Sequence, residues 1–276
     1  MEAQTHPVVL RPRQSALKYA ALALAVLLIA ACSVSDEREI ALGRMNAEQI
    51  DAKLPLVTDS HVTSYVQNLG TRLAERTSRA KLPWRFVVVD SKDVNAFALP
   101  GGFVYVNRGL IERADRMDEL AGALGHEIGH VVRRHSVQQL ERSGGTRIGI
   151  AIICVVTNFC DSHTARIAID VGGAAWLAHH SRAAEAEADS EAVANTTRAG
   201  ISPEGIPSLF RVLLATRQQQ PGIVQTFFAS HPLEEDRIDQ TQRLVDHLDP
   251  AIEKTLSRDE DEFRLIKQRL HELPVR

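Results

Sequence analysis

GALGHEIGHVVRRH, residues 122–135, decides how the rest of the chain is read. On a helix, residues four apart share a face, so His126 and His130 stand one turn above each other. Two imidazoles in that relation can hold one metal ion, and zinc is the ion the pair suits. Glu127 lies one residue round from His126, close enough to hold a water on that zinc. Zinc lowers the pKa of such a water from about 15.7 towards neutrality. Glu127 is then placed to take its proton as general base and return it to a leaving amine. The competing reading is a polar helix whose histidines are satisfied locally, because so short a motif also arises by chance.

A catalytic zinc keeps three protein ligands and an open position, so a third ligand is required. SRAAEAEADSEA, residues 181–192, carries carboxylates at every second position. Placed on a helix, Glu185 and Asp189 share a face with Ala188, Ala192 and Val193, while Glu187 and Glu191 lie opposite with Ser190 and Arg198. The first face reads as buried and the second as solvated. Glu185 is the better ligand. Asp189, one turn on, is placed to accept a hydrogen bond from a ligand histidine and fix its tautomer. Glu187 and Glu191 read as surface charge, with Glu191 near Arg198.

Composition agrees with one core and a small extra lobe: 276 residues, 44% hydrophobic and 24% charged. The net charge of -3 and the lack of a basic stripe argue against nucleic acid as a partner. Abundant alanine and only 5% aromatics favour helices. Apolar spacing predicts a helix within 33–60 (Ile40, Leu42, Met45, Ile50) and another over 61–77. LPWRFVVVD, 82–90, and FVYVN, 103–107, read as strands joined through a turn at Pro100-Gly101-Gly102, a hairpin or meander with one exposed edge. A long helix is expected from Arg116 to about Leu140, and the carboxylate-rich helix closes at Gly200 with Pro203. Residues 148–160 are apolar but too few to cross a membrane. The segment 148–178 suits a lid or a buried helix pair equally.

At the N-terminus, Arg11, Arg13 and Lys18 precede an apolar run from Tyr19 to Ala31. That is the layout of a secretory signal. Its end, IAAC, resembles a bacterial lipoprotein signal, which implies lipidation at Cys32; a plain secreted protein or an uncleaved anchor are the alternatives. Ser33 after the cysteine implies the outer membrane, facing the periplasm. Cys154 and Cys160 then remain, as a disulfide or as two buried thiols.

HEIGH followed by SRAAEAEAD resembles the HExxH…SRxxExxAD signature of the HtpX and CAAX-prenyl-protease type of zinc metallopeptidase. EIALGRMNAEQI, VNAFALPGGFVYVNRGLI, DELAGALGHEIGHVVRRHS and SHPLEEDRI extend the resemblance over roughly residues 36–245. The chain departs from HtpX in carrying no internal transmembrane helices. The resemblance implies an α+β, mainly helical zincin fold with a small sheet beside the active-site cleft. It implies one Zn2+ held by His126, His130 and Glu185, with Glu127 as base. It implies a strand from VNAFALPGGFVYV, here Phe103, Val104, Tyr105 and Val106, that pairs with extended substrate. It places His231 and Arg237 near the metal, where either can stabilise an oxyanion. His231 can instead close the site as a fourth ligand, and Pro232 with Arg237 can equally mark a helix start and a salt bridge. His135, His163, His179 and His180 read as packing or surface residues.

The expected organisation is a signal over 1–31, a lipidated tether and first helix over 32–60, a metallopeptidase core over 61–245 and a charged helical tail over 246–276. The expected function is zinc-dependent cleavage of unfolded or misassembled envelope polypeptides. A latent or chaperone-like assembly factor with its zinc site closed is the alternative.

Overall fold

A computed structural model describes residues 34–142, 180–231 and 235–274. The signal segment, Cys32, Cys154, Cys160, the 148–178 segment and Pro232 lie outside the described residues. Among those described, no helix is long and apolar enough to cross a membrane.

The centre of the fold is one helix, Met117–Val132, whose residues from Met117 to Val131 are all buried. Leu120, Leu124 and Ile128 supply its bulk, and alanines and glycines line its other sides, so neighbours approach closely. We label the helices α1 (Asp36–Asp51), α2 (Ser60–Ala74), α3 (Arg108–Arg113), α4 (the central Met117–Val132), α5 (His135–Arg142), α6 (Arg182–Arg198), α7 (Gly205–Gln219), α8 (Pro221–Ser230), α9 (Glu235–Asp246), α10 (Pro250–Glu253) and α11 (Asp261–Glu272). α6 packs along α4, and α2 and α7 pack against it too. At the α4–α6 contact, a Cβ on Gly129 would stand 2.7 Å from the Ala188 carbonyl oxygen, so only glycine permits this approach.

The sheet has three strands, β1 (Arg85–Val89), β2 (Ala96–Leu99) and β3 (Phe103–Asn107), in the order β1-β3-β2. β1 pairs with β3 in parallel, and β2 with β3 antiparallel through the Pro100-Gly101-Gly102 turn. This corrects the sequence expectation in two ways. The two strands read from β-branched runs are parallel neighbours, and the hairpin partner of β3 is a strand read as part of a turn. β3 is therefore central, paired on both sides and buried throughout, so Phe103, Val104, Tyr105 and Val106 offer no free edge. Side chains alternate across the sheet. Phe86, Val88, Val104 and Val106 join the main core, while Val87, Val89, Phe97 and Tyr105 form a second cluster with Ala47 and Ile50 of α1.

Two further differences follow from local geometry. The expected helix from Arg116 to Leu140 breaks at Arg134, whose φ of 58° turns the chain before α5. The charged C-terminal stretch delivers Phe263, Ile266 and Leu270 to the main core. Asp59 ties that end to α2: its Oδ1 accepts from the His61 and Val62 amides at 3.1 and 3.2 Å, and Arg269 Nε donates to its Oδ2 at 2.7 Å.

Two predictions follow. Gly129→Ala forces α4 and α6 apart and should cost about 1–3 kcal/mol in urea unfolding; a wild-type value would contradict the packing. Burial raises the Asp59 pKa, but the Arg269 guanidinium and the two amides outweigh it and hold the group below its ordinary 3.8. Its contribution is thus present above that value and lost as pH falls through the lower folded value. Asp59→Ala should cost about 1 kcal/mol at neutral pH, and the difference from wild type should vanish in acid.

Candidate metal centre

α4 and α6 bring His126, His130 and Glu185 together, and the residue after α8 adds His231. One donor atom from each of the four lies within 4.8 Å of every other, and all four residues are buried. His126 Nε2 stands 3.0 Å from His130 Nε2 and 3.4 Å from Glu185 Oε2. His130 Nε2 is 3.3 Å from Glu185 Oε1. His231 Nδ1 is 3.3 Å from both His126 Nε2 and Glu185 Oε1. A tetrahedral zinc with bonds of about 2.0–2.1 Å has ligand–ligand edges of about 3.3 Å. The donor set therefore fits a zinc ion in chemistry, with these pairs near that edge and the whole set within 4.8 Å.

The other ring nitrogens are spoken for. Asp189 Oδ1 accepts from His126 Nδ1 at 2.8 Å, which leaves Nε2 as the metal-facing nitrogen. Arg237 braces the two carboxylates: Nε and Nη2 donate to Asp189 at 2.9 and 2.8 Å, and Nη1 pairs with Glu185 Oε2 at 2.7 Å. It also lies over the Phe210 ring. All three of its nitrogens thus face carboxylates, a positioning geometry in place of the oxyanion contact weighed from the sequence.

His135 and His180 were read as packing or surface residues, and both belong here. The break at Arg134 turns His135 back, so that its Nδ1 lies 2.9 Å from His130 Nδ1. With His130 Nδ1–H donating, His130 Nε2 keeps its lone pair, and His135 Nε2–H faces Glu187 Oε2 at 3.4 Å. His180 stacks on His130 with ring centroids 3.9 Å apart. An uninterrupted helix carries residue 135 off the ligand face, and nothing in RRH marks a break. Glu191 pairs with Arg133 at 2.9 Å, whereas Arg198 turns to Asn195, so the expected Glu191–Arg198 pair is corrected.

The electrostatics separate the roles. Burial raises the Glu127 pKa above the ordinary carboxylate value, though His231 and His126 oppose it. A carboxylate poised that way suits proton transfer. Burial also raises Glu185, but the charges of His231 and His126 outweigh it and hold the group well below its usual range. For His126, burial disfavours the cation, yet Glu185 and Asp189 prevail and push the pKa up to about 10. Burial and neighbouring imidazoles drive His130 and His180 down.

Glu127 also lies beside the sheet, where the Ala98 backbone N–H partly offsets the rise in its pKa. Asn107 N–H donates to Asn95 O at 2.9 Å, so in the antiparallel alternation Phe97 and Leu99 bond to β3, while Ala96 and Ala98 direct their backbone groups away from it. Beside Glu127 lies a small apolar hollow lined by Ala96, Ala123, Ile206, Leu209, Phe210 and Phe227.

A helix-borne HExxH completed by a carboxylate from the next packed helix, on a mainly helical α+β frame, is the layout of a metallopeptidase. The chain belongs to peptidase family M48, whose sequence profile matches residues 60–245. It is 28% identical over 236 residues to the putative beta-barrel assembly-enhancing protease of Vibrio cholerae, covering 80% of this chain and 49% of that protein. It is 26% identical over 249 residues to the beta-barrel assembly-enhancing protease of Escherichia coli K12, covering 87% of this chain and 50% of that one. With metalloprotease YcaL of the same organism it shares 27% identity over 212 residues, 75% of this chain and 80% of the relative. The chain thus spans about half the length of the assembly-enhancing relatives.

Asp189→Asn and His135→Ala should each weaken metal-ion binding about 10–100-fold, measured against a chelating dye, because each frees the imidazole of a candidate ligand. Glu187→Gln, at a half-exposed carboxylate, should change it little. Equal effects from all three would show that these contacts do not orient the ligands.

Proposed function

We propose that the protein is a zinc-dependent endopeptidase of the bacterial envelope that acts on unfolded or misassembled polypeptides. The observation that carries the reading is the buried Glu127, with a raised pKa, standing between the four-donor cluster and the backbone of Ala98. His126, His130 and Glu185 would hold the zinc, which supplies Lewis acidity and lowers the pKa of a water. An extended substrate pairs its main chain with the outward groups of Ala96 and the carbonyl of Ala98 on β2, the edge strand, in the role first sought on β3. Recognition through the backbone makes sequence preference loose. Glu127 takes a proton from the attacking water and passes it to the departing amine. The relatives named for beta-barrel assembly, and the lipoprotein-like sequence ending at Cys32, support a substrate class of envelope proteins and a lipid anchor at the outer membrane, facing the periplasm.

One geometry favours a second reading, a latent enzyme or assembly factor. His231 Nδ1 sits within the ligand set, and its Nε2 lies 3.4 Å from Glu127 Oε1. A histidine there fills the fourth position and occupies the base.

Zinc-loaded full chain in detergent, incubated with an unfolded outer-membrane protein, tests both readings. Cleavage by the wild type, lost by about 10²–10⁴-fold in Glu127→Gln with zinc retained, is the expected result. Equal cleavage by both would remove Glu127 from the mechanism. His231→Ala should raise the rate several-fold, and a fall would make His231 a participant in catalysis instead of a gate.

A further inference from the structure

EIALG, residues 39–43, lies in the N-terminal half of α1, and the centre described above assigns it no task. Its first residue is an oddity. Glu39 is fully buried on α1, which among the described residues covers the far face of the sheet. Buried carboxylates need partners, and this one has four donors. Its Oε1 accepts from Arg79 Nη1 at 2.7 Å and from the Gly101 amide at 3.0 Å. Its Oε2 accepts from Arg79 Nη2 and pairs with Arg134 Nε, each at 3.0 Å.

The partners are the argument. Gly101 lies in the turn that ends β2, two residues beyond Leu99. Arg79 Nη1 also donates to the Val131 carbonyl at 2.9 Å, one residue past His130. Arg134 is the residue whose positive φ turns His135 back onto His130. One carboxylate therefore joins the edge strand to the end of the metal helix. A second contact fixes the same turn from the same helix: a Cβ on Gly43 would stand 1.8 Å from the Pro100 carbonyl oxygen, so α1 touches the turn backbone to backbone.

We propose that Glu39, through Arg79, Arg134 and the Gly101 amide, is a positioning residue that sets the distance between the substrate-pairing edge of β2 and the HEIGH helix. It rests on the reading of β2 as the strand that pairs with substrate. Glu39 touches neither metal nor substrate; it acts through the Gly101 turn and so through the backbone of β2. A misplacement of about 1 Å between reacting groups costs about 100-fold in rate, so such a brace has kinetic weight. It also makes α1 a working part of the site, although α1 contributes no atom to it.

The test compares wild-type full chain with Glu39→Gln, with Arg79→Lys as a milder second variant, and with Asp36→Asn as control. Asp36 meets the same arginine at 2.9 Å from an exposed position, so its loss should change each readout less than twofold. Amide hydrogen exchange over 96–102 should quicken at least tenfold in Glu39→Gln and less in Arg79→Lys, with α6 unchanged. Zinc affinity should stay within threefold of wild type. With unfolded polypeptide as substrate, kcat should fall at least fivefold, with KM rising as well. Wild-type exchange over 96–102 in both variants, or exchange quickened evenly along the chain, overturns the proposal. If the wild type cleaves nothing, the peptidase reading fails by itself, and hydrogen exchange with zinc affinity still decides whether Glu39 braces the strand.

Discussion

The structure depends on keeping a cluster of charged and polar rings dry. His126, His130, Glu185, Asp189, His231 and Arg237 are all buried, and so is Glu127. A buried carboxylate without a partner is costly, and a buried imidazole pair without a shared cation repels its own lone pairs. Every element around α4 answers that demand. α6 supplies two carboxylates, α9 neutralises them with one guanidinium, and the chain after α8 adds a third imidazole. The ion pair between Asp189 and Arg237 holds its ground because both ends make further bonds, to His126 and Glu185.

Much of the centre was legible because periodicity speaks directly about faces. The i, i+4 spacing of His126 and His130 and the shared face of Glu185 and Asp189 need only helix geometry, and burial follows that division: Ala188, Ala192 and Val193 are inside, and Glu187 is outside. The sheet was less legible. Ala96–Leu99 contains no β-branched residue, so a strand defined by its partner reads as loop. The parallel pairing of β1 with β3 is a long-range choice that neither strand encodes alone. α1 shows another limit. Its buried stripe is Glu39, Gly43, Asn46, Ala47 and Ile50, whereas the apolar Met45 is exposed. A search for apolar residues at helical spacing finds the helix and misses the face it buries.

His135 was lost for a related reason. The sequence after His130 carries no glycine, proline or asparagine to announce the turn at Arg134, a residue that seldom takes positive φ. The conformation is held by tertiary contacts, among them the pairing of Arg134 with Glu39. Local propensity and final geometry disagree at this point, and such disagreements concentrate where function is built.

The wide scatter of the ligands along the chain has a consequence for biogenesis. The HEIGH pair is complete as soon as one helix forms, but Glu185, His231 and Arg237 arrive from later segments that fold against it. A chain that has formed only α4 therefore offers two histidines and no third ligand. It cannot assemble a hydrolytic centre until the carboxylates of α6 and the guanidinium of α9 have docked. Completion of the tertiary structure is thereby a condition for holding an ion: the four donors meet only once α6 and the residue after α8 have docked against α4.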